Sequence, residues 1–338
     1  MSIVETPEEL CTGNYFKLHE IGRIQTPGFV LGVERIGEVL KVISVSDNIV
    51  QATWAITKKV EEILNCPLES VIGTENSLLI TKAVFNFPIF NTTEPNYQRS
   101  FALLKTNTTI PQIKNMTEIM LSCSLMTCST PNQYVIEIEE VEDTTVFTLP
   151  NGHMIESGNM VNLVQTAESL EAVTALFCDR YDIYMFVYYT LYKPNIHILT
   201  CTLHLNAHSV MKIMPDYDRG VVCRFEDDYS SEVIYENIRD PEVTKSTFLN
   251  FHYPASDVPP QSRALLMKNI VRYIYDVNGT EAVLHALEDV KLDLTMCYMR
   301  AVHNCHLQYL KNMGVVASLT IAIVVNKKVR IMTLYVYV

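Results

Sequence analysis

The chain has 338 residues, of which 48 % are hydrophobic and 19 % charged, with a formal net charge of −12. This is the composition of a folded, core-forming protein long enough for about two domains. The acidic balance and lack of a long basic run exclude nonspecific nucleic-acid binding, which needs clustered Lys and Arg. Met1 to Leu10 is acidic and has no basic stretch before an apolar one, so no secretory signal is expected and the Asn-X-Thr sequons should carry no glycan. Nine cysteines (11, 66, 123, 128, 178, 201, 223, 297, 305) are scattered and unpaired in spacing, which reads as free thiols in a reducing cytoplasm. The longest apolar stretch, Ile183 to Tyr192, stops at Lys193-Pro194, short of the about 20 residues that a membrane span needs.

The chain order predicts two α+β units. Gly28 to Val33, Val39 to Val45 and Tyr134 to Glu139 alternate as antiparallel strands, with a helix expected over Ala52 to Ile63. A Pro150-Asn-Gly turn and a linker helix over Met160 to Phe177 follow. The second unit is expected to hold strands at Gly220 to Phe225 and Glu232 to Tyr235 and a helix from Pro259 to Ile270. It ends in a strand pair, Ala317 to Val325 and Val329 to Val338. Alternation along the first of that pair puts the Ser318 and Thr320 hydroxyls on one face, opposite Leu319 and Ile321.

The segment from Arg300 to Thr320 carries the most chemistry. His306 to Met313 has helical spacing, and Gly314 supplies the stop. Cys305 therefore sits at a helix start, where backbone N–H groups and the dipole favour thiolate. Cys305 could equally be a buried core thiol. His303, Cys305 and His306 are too close in sequence to converge easily on a metal ion, and a thiol-hydrolase pair of Cys305 and His306 lacks an orienting third group.

These residues resemble the photosensory region of phytochromes, a PAS domain followed by a bilin-binding GAF domain. Cys305-His306-x-x-Tyr309 with Leu-Lys-Asn-Met-Gly is similar to the chromophore-attachment stretch. Leu249 to Arg263 resembles the Pro-x-Ser/Thr-Asp-Ile-Pro motif, and Val271 to Val277 the stretch carrying a propionate-binding arginine. Tyr217-Asp-Arg resembles the strand that opens the GAF core, and His19 to Gln25 the segment threaded through a GAF loop. The resemblance implies an α+β fold of two domains, each a central antiparallel sheet flanked by helices. The expected division is an N-terminal segment at 1–27, a PAS-like domain at 28–145, and a linker helix with GAF domain at 146–338.

It also implies a linear tetrapyrrole cofactor: phytochromobilin, phycocyanobilin or biliverdin. A thiolate adds to the electrophilic A-ring side chain to form a thioether, and Cys305 is the expected nucleophile. Arg272 and Arg300 fall at the propionate-binding positions, where bidentate guanidinium geometry suits carboxylates, and Ser318 and Thr320 complete that wall. Asp257 and His306 match the residues beside the pyrrole nitrogens; Tyr253 and Tyr309 match those packing on the isomerising ring. By their residue types alone these are an ion-paired arginine set, a cap for the Pro259 helix and core aromatics. Cys11, eight residues before His19, stands near the attachment position of the biliverdin-binding branch and is the second candidate thiol.

Three stretches depart from the family pattern. Ile24-Gln-Thr-Pro-Gly28 lacks the usual histidine, Cys223 replaces a tyrosine, and Val329 to Val338 lacks the histidine expected for the D-ring carbonyl. The PHY and kinase parts have no counterpart here. Residues 180–207, rich in Tyr, Ile and Thr without helical period, read as an insertion of translated noncoding origin, as does the tail from Val329. The expected function is a red/far-red photoreceptor fragment, not an enzyme, working as a homodimer with an unidentified downstream partner. The alternative is a degenerate PAS–GAF sensory or dimerisation module without bilin.

Overall fold

A computed structural model describes residues 18–26, 28–52, 54–56, 59–87, 97–109, 116–140, 146–148, 154–156, 217–241, 246–325 and 328–337. The chain divides into two compact units, 1–163 with 279–307, and 164–278 with 308–338. The expected linker helix and the 180–207 segment lie outside the described residues.

The first unit is built on strands β1 (Arg23–Gln25), β2 (Phe29–Ile36), β3 (Val39–Ser46), β4 (Arg99–Thr109), β5 (Met116–Thr127) and β6 (Gln133–Glu140). With β13 (Glu281–Ala286) they form a seven-stranded antiparallel sheet in the order β1-β13-β3-β2-β6-β5-β4. A two-stranded ribbon pairs β7 (Val146–Thr148) with β8 (Met154–Glu156). Helices α1 (Val60–Ile63), α2 (Glu69–Ile72) and α3 (Thr74–Asn86) accompany the sheet. Its core joins Leu31, Val33, Val42 and Ile136 to Ile63, Val71, Ile80 and Val84, and the Phe29 ring meets Trp54 edge-on at 5.4 Å. Burying each such aliphatic side chain contributes about 1.5–3 kcal/mol.

Among the described residues of 52–63, the expected helix forms only at its end, Val60–Ile63. A 3-10 turn occupies Asp47–Gln51, and the longer helix is α3. Trp54 and Ala55 are buried individually against the core, so tertiary packing overrides the local pattern there. The three expected strands form with ends within three residues of their predicted limits.

β1 lies between two arms of the 279–307 segment. One edge pairs with β13, Ile24 opposite Ala282. On the other edge, Gln25 N–H donates to the Met299 carbonyl at 2.6 Å and Ala301 N–H to the Arg23 carbonyl at 3.0 Å. The N-terminal segment is thus held by residues of 279–307 on both edges. Gly28 packs so closely on Met299 that a Cβ would fall 2.2 Å from its sulfur.

Asp293 anchors the same loop. Its carboxylate accepts from the Tyr97 hydroxyl and the Ser129 N–H, both at 3.0 Å, and from the Thr295 N–H at 2.9 Å. Burial pushes this carboxyl up, but the hydrogen bonds from Ser129 and Thr295 outweigh it and hold its pKa below the ordinary 3.8. A folded-state pKa below the unfolded one gives stability that is full above the ordinary carboxylate range and lost as pH falls through the lower folded value. Urea midpoints measured from about pH 6 down to about pH 3 should therefore drop, and Asp293→Asn should flatten the acid limb. An unchanged acid limb in that variant would assign the loss to other carboxylates.

The second unit is a six-stranded antiparallel sheet in the order β11-β10-β9-β15-β14-β12. Its strands are β9 (Arg219–Phe225), β10 (Ser231–Ile238), β11 (His252–Tyr253), β12 (Val271–Ile274), β14 (Ala317–Val325) and β15 (Lys328–Tyr337). Helix α4 (Pro260–Leu266) follows β11, and α5 (Asn304–Asn312) precedes β14. The tail expected to be foreign is β15, an interior strand paired with both β9 and β14. Val329, Ile331 and Val336 on it are buried, so its β-branched alternation suits a central strand whatever its origin.

Candidate functional site

Strand register sets one face of the second sheet. Arg272 lies opposite Thr320, and Ile274 opposite Ser318. Thr320 in turn faces Leu334, which faces Val221; Ser318 faces Val336, which faces Arg219. Directly opposed residues share a face, so Arg272, Ser318, Thr320, Val221 and Cys223 stand on the same side. Ser318 is buried, while Arg272 and Thr320 are partly buried. The same face carries an apolar cluster of Val221, Cys223, Val233, Phe248, Tyr253, Met332 and Leu334.

The Pro254 to Pro260 segment packs beside it. Asp257 N–H closes a turn onto the Pro254 carbonyl at 3.1 Å, and Arg263 Nη1 donates to the carbonyls of Ala255 at 3.1 Å and Val258 at 2.5 Å. Pro259 caps α4 with no side-chain bond, so Asp257 is not its capping residue. Its carboxylate instead accepts from the Tyr309 hydroxyl at 3.2 Å. Burial first, then the Asp257 charge, raises the Tyr309 pKa; burial, then Cys223 and Asp257, raises that of Tyr253. Both phenols therefore stay protonated and able to donate near neutral pH. Asp257, Tyr253 and Tyr309 form one polar and aromatic wall, and Arg272, Thr320 and Ser318 another group that can hold a carboxylate.

Cys305, His306 and Arg300 belong to the first unit. Cys305 is partly buried in the first turn of α5, where its N–H donates to His303 Nδ1 at 3.3 Å. Burial, aided by the nearby Arg23 charge, lowers the His303 pKa, which keeps that nitrogen an acceptor. Gly314, at φ +73°, ends the helix run as its sequence position suggests. The Cys305 sulfur is disulfide-bonded, whereas Cys66, Cys123, Cys128, Cys223 and Cys297 are free. The expectation of free thiols throughout thus fails at the half-exposed helix start, where a sulfur is open to exchange. His306 is exposed. Arg300 is 8 % exposed, with Nη1 3.5 Å from the Leu294 carbonyl and the charges of Asp293 and Glu137 close by. Cys11 lies outside the described residues.

No family model matches the chain. Over 114 residues, 32 % of this chain, it is 40 % identical to phytochrome B of Arabidopsis thaliana, and the match spans 9 % of that protein's length. The chromophore-binding domain of an unusual bacteriophytochrome from R. palustris superposes with a TM-score of 0.64 at 21 % identity, over 97 % of this chain and 88 % of that one. The wild-type photosensory core module of Stigmatella aurantiaca phytochrome gives 0.65 at 20 % identity, over 97 % and 55 %. The chain is a phytochrome homologue with the PAS–GAF fold.

After the fold that they resemble, the sheet of the first unit is termed the PAS sheet and that of the second the GAF sheet. Two features of this phytochrome homologue escaped its sequence: the Arg263 clasp on the Pro254 turn, and an ion pair between Arg219 and Glu236. Neither has a local signature, since each joins residues separated by a turn or a strand pairing. Among the described residues no cluster of His, Cys, Asp or Glu is arranged for a metal, and no helix is long and apolar enough to cross a membrane.

Proposed function

We propose that the chain is a phytochrome-type photoreceptor region that holds a linear tetrapyrrole as a thioether on Cys305 and isomerises it in red and far-red light. The observation that carries this reading is the Tyr309 to Asp257 hydrogen bond, set on the same GAF unit as the Arg272, Thr320 and Ser318 row. The carboxylate supplies an acceptor and counter-charge for pyrrole N–H groups, and the arginine with two hydroxyls suits a propionate. The bilin, when bound, supplies the light absorption and the double-bond rotation; Tyr253 and Tyr309 bound the space in which a ring can turn. His306, Arg300 and Cys11 remain candidates for further contacts. Location in the cytoplasm and homodimeric assembly belong to the same proposal.

Addition consumes a thiolate and delivers a proton to the bilin side chain, so a disulfide at Cys305 must first be reduced. Expressed under reducing conditions with phycocyanobilin or biliverdin, the protein should be coloured, and red light should deplete its band reversibly by far-red light. A colourless protein with both bilins would overturn the reading. It would favour a bilin-free PAS–GAF module, which the ring lost at Cys223 suits.

A further inference from the structure

The GAF unit contains a buried ion pair that the bilin chemistry above does not use. Arg219 Nη1 lies 3.5 Å from Glu236 Oε1, with side-chain exposures of 3 % and 5 %. Arg219 stands two residues from Val221 on β9, and Glu236 lies directly opposite Val221 on β10, so both side chains share the face that bears Cys223. Removing two charges from water is costly, and mutual attraction alone rarely repays it. Arg219 Nε is also buried without an acceptor among the described residues, so the pair is poorly explained as a simple stabiliser.

The remaining partners converge on one short stretch. Glu236 accepts the Phe248 N–H, at 3.1 Å to each carboxylate oxygen, and the Thr247 hydroxyl. Arg219 Nη2 donates to the Ser246 carbonyl at 2.5 Å, and its guanidinium lies 4.0 Å over the Phe248 ring. Phe248 packs in the same cluster as Cys223, Val233 and Tyr253. Downstream, Asn250 N–H and the Phe251 carbonyl bond to Val233 before β11 begins. The two ends of the 246–253 stretch are thus tied to β10, one by charge and one by backbone.

We propose that Arg219 and Glu236 are positioning residues for the chromophore pocket, pinning 246–253 to the sheet and so fixing where the Tyr253 ring stands beside the isomerising end of a bilin. The proposal rests on the bilin reading above. In its favour, the charges sit where the aromatic cluster needs a rigid edge, and both act through Phe248.

The test has two readouts on the full chain. In bilin-free protein, the Phe248 amide should exchange slowly, and the double variant Arg219→Met with Glu236→Leu should speed it by about tenfold or more while leaving Val222 unchanged. Assembled with phycocyanobilin, that variant should still attach pigment but show a displaced absorption band and a reduced photoconversion yield. If the double variant does not fold, Glu236→Gln is read in the same way. Unchanged Phe248 exchange in a folded variant overturns the proposal, as does an unaltered band and yield in a pigmented one. A wild-type chain that takes up no bilin removes the bilin reading, and Phe248 exchange then decides the pinning by itself.

Discussion

Cys305→Ala is expected to abolish covalent attachment of phycocyanobilin, leaving no zinc-fluorescent band after denaturing electrophoresis. Cys305 lies in the first turn of α5, a nine-residue helix. Its N–H is already satisfied by His303 Nδ1, so the turn is formed without help from a ligand. Under reductant the freed sulfur can add to the A-ring side chain, the new C–S bond forming as the proton passes to the adjacent carbon. Alanine leaves the helix intact and removes the only atom that makes the bond. Cys11→Ala should leave the band in place. The reverse result, a band that survives Cys305→Ala and disappears with Cys11→Ala, would move the attachment to Cys11.

Glu137→Ala should cost the PAS unit about 3–5 kcal/mol, the range for removing one partner from a buried charge cluster. Glu137 is 1 % exposed and accepts from the Met299 N–H at 2.7 Å and the Cys297 Sγ at 2.9 Å. Its charge also faces Arg300, whose pKa is lowered by burial and pushed back up by Cys297, Asp293 and Glu137. Alanine strips both donors of their acceptor and leaves that cation with less compensation. Glu137→Gln, which keeps an acceptor oxygen, should cost less. Trp54, the chain's one tryptophan and 4 % exposed, reports unfolding of this unit by fluorescence. A loss below about 1 kcal/mol would show that Asp293 balances Arg300 by itself.

The local structure around the candidate site residues was largely legible because its signals are local. Cys305 to Gly314 and Pro254 to Pro260 each carry turn or helix chemistry within a few residues, and alternation alone placed Ser318 with Thr320. The PAS half was less so. α3 hides its inward face, burying Ile80 and Val84 while Leu78, Leu79 and Phe85 are exposed, so no clean 3.6-residue stripe is visible. β4 includes Lys105-Thr-Asn-Thr-Thr109, a polar run on the sheet's outer strand that reads as loop in isolation. The surroundings of Arg300 were not legible: its burial beside Glu137 and Asp293 depends on a strand more than 150 residues away, as the 160-residue gap between Glu137 and Cys297 indicates.

The interior position of β15 constrains the order of folding. Until residues 328–337 have been synthesised, β9 and β14 each present an unpaired edge, and the sheet exists as two separate halves. The GAF unit therefore closes only after residue 337 is available, through contacts that join residue 219 to residue 336. During synthesis those edges are open to pairing with other chains, which makes nascent molecules, rather than finished ones, the species most exposed to aggregation.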